Sequence, residues 1–134
     1  TYPKRRGLTR VKELNDNHIN VCFAQDSMSD PWYPLGNGNM MNILDHGIHI
    51  CQMMSFDEID NALDLITING AKTMNLDDVY GIEVGKDANF IVINAKSEFE
   101  AVCERAGVLA SIRNGKYLFN KIPEKVNTDI ELLS

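Results

Sequence analysis

Positive charge is what this 134-residue sequence is short of: 13 Lys and Arg stand against 19 Asp and Glu, a formal net charge of −6. Phosphate backbones are gripped by a basic field, so the acidic balance excludes a nucleic-acid-binding surface. No apolar run approaches the roughly 18 residues of a membrane span, and no membrane partner is expected. Cysteines are few: Cys22, Cys51 and Cys103 are odd in number and widely spaced. With no C-x-x-C pair, zinc-finger spacing is excluded, and the three read as reduced thiols of a cytoplasmic protein. Also missing are the H-E-x-x-H metal helix, the G-x-S-x-G nucleophile elbow and an internal repeat. Asn37-Gly38-Asn39 lacks both the glycine spacing and the lysine of a phosphate loop. No apolar segment follows the basic opening Thr1–Arg6, so no signal peptide is expected. A first residue of Thr rather than Met points to a start inside something longer.

What remains, 44% hydrophobic and 24% charged residues, suits one globular domain or a piece of a larger one. Thr9 is placed to cap a short helix carrying Val11 and Leu14, ending near Asn15-Asp16-Asn17. Ile19–Ala24 reads as a buried strand, stopped by Gln25-Asp26-Ser27 and by the prolines of Asp30-Pro31-Trp32-Tyr33-Pro34. Apolar spacings of three and four predict a helix over 39–53, in which Gly47 permits close packing. Ser55 and Glu58 form a capping box, opening a helix through Leu63, Leu65 and Ile66. A further short helix is expected over 67–74. From about residue 77 strands dominate: 88–93, then 108–113 and 116–119 around Asn114-Gly115, a type I′ hairpin signal. Ser97-x-x-Glu100 opens a helix to Arg105 between them, and the tail after Pro123 reads as polar surface.

Asp26 stands just beyond the end of the strand-like run. In an α/β barrel those strand ends carry the site, and a carboxylate there can ligate a metal or hold a catalytic water. A plain turn-starting or capping aspartate fits the same pattern. Trp32, held between prolines, offers a wall for a flat ring, or else ordinary core packing. His46 and His49 lack a third ligand, and read as residues satisfied by backbone or solvent. His18, at a helix end, suits the helix dipole. Met40, Met41, Met53 and Met54 suit gap-filling core or an interface.

Taken together, these residues carry a family likeness. Ile19–Phe23 ending in Asp26, followed by D-P-W-Y-P-L-G over 30–36, closely resembles the last barrel strand and following loop of bacterial cytosine deaminases, of the amidohydrolase superfamily. Thr1–Gly7, Leu65-Ile66-Thr67, Ala71-Lys72-Thr73 and Tyr80-Gly81-Ile82-x-x-Gly85-x-x-Ala88-Asn89 are similar to the same proteins. The resemblance implies an α/β fold: residues 1–77 as the last strand and helices of a (β/α)8 barrel, residues 78–134 as the C-terminal part of a small β-sandwich domain. It implies hydrolytic deamination of cytosine, a small pyrimidine substrate, with a divalent metal, iron or zinc. Asp26 matches the catalytic, metal-binding carboxylate, and Trp32 the tryptophan lining the pyrimidine pocket. Gln25 and Ser27 take the substrate-side positions where these proteins commonly carry a histidine and a second acid. A neutral Ser27 makes isocytosine or another aminated heterocycle a credible ring. The H-x-H pair and the middle-strand ligands match nothing in these residues. A barrel closes with eight strands, so the remainder of the barrel is an implied partner, a homo-oligomer is expected, and these residues alone should be inactive. A non-catalytic α/β interaction module is the competing reading.

Overall fold

The computed structural model describes residues 7–123; Thr1–Arg6 and the tail after Pro123 lie outside the described residues. The first helix, α1 (Val11–Asp16), is entered through Arg10, not through a Thr9 side-chain cap. Thr9 contributes only its carbonyl, which accepts from the Val11 N–H at 2.9 Å. The exit is as the asparagines suggest. His18 turns left-handed (φ 58°) and the Ile19 N–H donates to the Leu14 carbonyl at 3.0 Å, a Schellman closure made by backbone.

Helix α2 (Met40–Ile50) is capped by Asn39, whose side chain accepts from the Met41 N–H at 3.0 Å. It buries Met41, Leu44 and Ile48. Gly47 is where the ring of Phe23 presses against the helix, so a side chain there would collide with the ring. The capping box at Ser55 and Glu58 is present and opens α3 (Phe56–Asp60). That helix is shorter than its apolar residues suggest. At Asn61 the side-chain amide donates to the Asp57 carbonyl at 2.7 Å, and the chain tightens into a 3-10 helix over Ala62–Ile66. Residues three apart then meet the core, and Ala62 and Leu65 are buried. Helix α4 (Ile68–Thr73) follows. Val11, Leu44, Ile48, Met53, Ala62, Leu65 and Val102 form one buried cluster. Each fully buried leucine, such as Leu44 or Leu65, contributes roughly 1.5–3 kcal/mol.

Ile19–Ala24, expected as a buried strand, is neither a paired strand nor buried. Among the described residues no strand lies beside it. It is stitched sideways to the helices instead. The Phe23 N–H donates to the Leu65 carbonyl at 2.7 Å, and the Asn69 amide donates to the Val21 carbonyl at 2.9 Å. The Asn20 amide returns to the Asn69 carbonyl (3.1 Å) and Thr73 hydroxyl (3.0 Å).

Past residue 77 the sheet appears: β1 (Phe90–Ile93), β2 (Val108–Arg113) and β3 (Lys116–Asn120), all antiparallel in the order β1-β2-β3. Asn114 (φ 49°) and Gly115 (φ 73°) both take the left-handed angles of a type I′ turn. Helix α5 (Glu98–Cys103), capped by Ser97, joins β1 to β2. It lends Val102 to the common core, stacks Phe99 on Phe56 at 5.6 Å, and is followed by Arg105, paired with Asp45 of α2 at 2.9 Å. The methionines divide: Met41 and Met53 are buried, Met54 is exposed. Cys22, Cys51 and Cys103 are free thiols, and burial raises the pKa of Cys51.

Candidate active site

The extended run delivers the chain to a loop that closes upon itself. At its entry the Gln25 side-chain oxygen accepts from the Gly38 N–H at 3.0 Å. The Ser29 hydroxyl donates to the Gly36 carbonyl at 2.8 Å. Gly36 is buried, and a Cβ there would run into the backbone oxygen of Ser27 and the amide of Gln25. The loop can only fold this tightly with glycine at that position.

Asp30 governs the middle of the loop. Its Oδ1 accepts from the Trp32 and Tyr33 N–H groups, both at 2.9 Å. Proline follows it, and the Gly36 N–H donates to the Tyr33 carbonyl at 3.1 Å. Asp30 thus makes an Asx-type turn, followed by a separate turn over Tyr33–Gly36 with Pro34 in its second position. The Tyr33 N–H first, then the Trp32 N–H and the Ser27 hydroxyl, hold the Asp30 carboxyl below its ordinary range. The Asx-type role was legible in the Asp-Pro dipeptide, yet sequence reasoning gave it to Asp26 as the bland alternative. Among the described residues Asp26 accepts no capping hydrogen bond; Asp30 does that work.

Asp26 is exposed at the rim of an open concavity of about 710 Å³, in which Gln25, Ser27, Trp32 and His46 also stand. All four residues singled out in the sequence therefore lie around one hollow. Trp32 is 91% exposed among the described residues, so it is not part of this chain's own core. Gln25 spends its carbonyl oxygen on the loop, leaving its NH2 as a donor. His46 was expected to be satisfied by backbone, and its Nδ1 lies 2.6 Å from the Asn42 carbonyl. A carbonyl only accepts, so Nδ1 carries the proton and Nε2 of the neutral ring is an acceptor. His49 does likewise toward the Asp45 carbonyl at 2.7 Å, away from the hollow.

Among the described residues no group of three His, Cys, Asp or Glu side chains is placed to hold a metal ion. The free carboxylate of Asp26 fits as a single oxygen donor to an iron or zinc ion, not as a complete set.

The amidohydrolase family matches residues 1–119. The solved structure of 5-methylcytosine deaminase from Klebsiella pneumoniae liganded with phosphonocytosine is 48% identical, with a TM-score of 0.88, over 96% of this chain and 31% of that one. Its complex with 5-fluorocytosine gives 49% identity and a TM-score of 0.89. N-isopropylammelide isopropyl amidohydrolase of Pseudomonas sp. strain ADP is 32% identical over 108 residues, 81% of this chain and 27% of that protein. Pterin deaminase of Rhizobium rhizogenes is 23% identical over 122 residues, 91% of this chain and 28% of that protein. The chain thus spans less than a third of the length of these relatives.

Proposed function

We propose, since the chain belongs to the amidohydrolase family, that it forms part of a hydrolytic deaminase acting on cytosine or a close pyrimidine such as 5-methylcytosine. The observation that carries this reading is the gathering of Asp26, Ser27, Gln25 and Trp32 around one concavity, in a chain 48% identical to a 5-methylcytosine deaminase. Asp26 would be one oxygen ligand of a divalent ion, iron or zinc, whose chemistry when bound would be to lower the pKa of a water for attack on the ring carbon that bears the amino group. The Asp26 carboxylate takes one proton from the incoming water and passes it to the ring nitrogen, then takes the second from the new hydroxyl and passes it to the amine, so that the C–N bond breaks, the carbonyl forms and ammonia leaves. Trp32 offers its face to the flat ring. The Gln25 NH2 donates toward ring acceptors, and Ser27 leaves the rim without a second charge.

The remaining ligands come from the rest of the barrel, and the 134 residues alone are inactive. The assembly is a cytoplasmic homo-oligomer. Among the described residues no helix is long and apolar enough to cross a membrane. Ser27 favours one variant of the reading. A neutral residue at this position leaves the rim without a second acid, so isocytosine or another aminated ring that needs none there is accepted beside cytosine.

The test is ammonia release by the complete, metal-loaded protein from cytosine, 5-methylcytosine and isocytosine, with Asp26→Ala beside the native protein. Turnover of at least one ring is expected, with a loss of about 10³-fold or more in the variant and an unaltered melting temperature. Turnover of none sinks the deaminase reading in favour of a non-catalytic module. Full activity in the variant removes Asp26 from the mechanism.

A further inference from the structure

Trp32 stands almost wholly exposed at the rim of the concavity, held by none of this chain's own core. Exposed side chains on loops ordinarily sample several orientations, and a stacking wall must be fixed before its ligand arrives. The backbone beneath Trp32 is constrained on three sides. Pro31 and Pro34 fix φ before and after it. Tyr33 leads into the turn closed at Gly36. The Trp32 and Tyr33 N–H groups themselves converge on one oxygen, Asp30 Oδ1, at 2.9 Å each. No other side chain among the described residues accepts from these two amides. Asp30 does not line the concavity.

We propose that Asp30 is a positioning residue for the ring-binding wall: by accepting from both amides it presets the backbone on which Trp32 stands, and so sets affinity for a flat heterocycle without touching it. The inference rests on the deaminase reading for its ligand class, but not for its geometry. Asp30→Ala takes away the shared acceptor. Asp30→Asn keeps an oxygen in the same place and loses only the charge.

The consequence falls on binding. Stacking on Trp32 is made alike in ground and transition states, so its loss raises KM and leaves kcat in place. In the complete, metal-loaded protein with cytosine as probe, Asp30→Ala is expected to raise KM about tenfold with kcat within about twofold. Asp30→Asn restores most of the loss. Because Asp30 acts through Trp32, the Asp30→Ala/Trp32→Ala pair should be no worse than Trp32→Ala alone. Additive losses in that double variant, or an unchanged KM in Asp30→Ala, overturn the proposal.

Amide hydrogen exchange at Trp32 and Tyr33 gives a readout that needs no turnover. Exchange should quicken at both amides in Asp30→Ala and much less in Asp30→Asn. If it does not quicken, Asp30 holds nothing and the proposal fails, whatever the kinetics. If the native protein deaminates none of the rings, the deaminase reading falls, while exchange still decides whether Asp30 holds Trp32.

Discussion

At the scale of single residues, the glycine at 47 ties helix chemistry to the site. Alanine there would ordinarily gain about 1 kcal/mol of helix propensity. Here the new Cβ meets the ring of Phe23, in the run that ends at Asp26, so the ring or the helix must move. Overpacking of this kind costs about 1–3 kcal/mol, which outweighs the propensity gain. Gly47→Ala should therefore lower the melting temperature of the complete protein, and Phe23→Leu in the same chain should recover part of the loss. A melting temperature raised by Gly47→Ala alone would show that the ring yields freely. Sequence pattern suggested close packing at this glycine but could not name Phe23, because the partner lies far along the chain. Asp26 and Asp30 illustrate the same limit. Both are aspartates in one polar loop, and only hydrogen-bond geometry separates the carboxylate spent on the backbone from the one left free.

At the scale of elements most local signals were faithful, the Thr9 side chain that caps no helix being the exception. Asn39, Ser55 and Ser97 all cap the helices they precede, and Asn114-Gly115 makes the expected turn. Reading failed where a distant group decided the outcome. Ile19–Ala24 has the residues of a strand, but strands are made by neighbours, and its stitches are to Leu65 and Asn69. The helix through Ile66 ends for a local reason instead: the Asn61 side-chain amide joins its own backbone N–H on the Asp57 carbonyl, and the chain tightens into the 3-10 helix. Lys12 was likewise unforeseen: its Nζ reaches Glu58 at 2.6 Å and joins α1 to the capping box of α3. That ammonium, followed by the Ser55 N–H and hydroxyl, pushes the Glu58 pKa down to about 2 from an ordinary 4.5. A carboxylate depressed in the folded state stabilises it fully above its unfolded pKa, and that help fades as pH falls toward the folded value. The gap in melting temperature between the native protein and Glu58→Gln should hold from pH 7 to about 5, then close between about pH 4.5 and 2. A gap that stays constant down to the lowest of these pH values would mean that the Lys12–Glu58 contact carries no charge-dependent stability.

At the scale of the whole molecule, the chain has the fold of one portion of the family's (β/α)8-barrel architecture, with three antiparallel strands following the helices. Much apolar surface is left uncovered in that portion. Ile82, Val84, Leu118 and Ile122 are each more than half exposed, and β3 is exposed along its length as an edge strand. Exposed apolar residues and an uncovered edge strand of this kind recruit other chains. Produced alone, residues 1–134 should bind a hydrophobic dye and sediment as polydisperse aggregates, whereas the complete protein should bind less dye and sediment as one defined species. A dye-silent monomer would show that the exposed faces need no cover. The composition could not disclose this, because an average of 44% hydrophobic residues says nothing about which of them find partners.

The loop from Gln25 to Gly38 is fastened at its own mouth and again inside, by Ser29 to Gly36 and by Asp30 to its two amides. Such a segment behaves as a cassette, its shape carried by internal fasteners instead of the ground beneath it. Relatives with different rings to recognise could exchange it whole, carrying Asp26, Ser27 and Trp32 together and moving ring preference between scaffolds in one transplant.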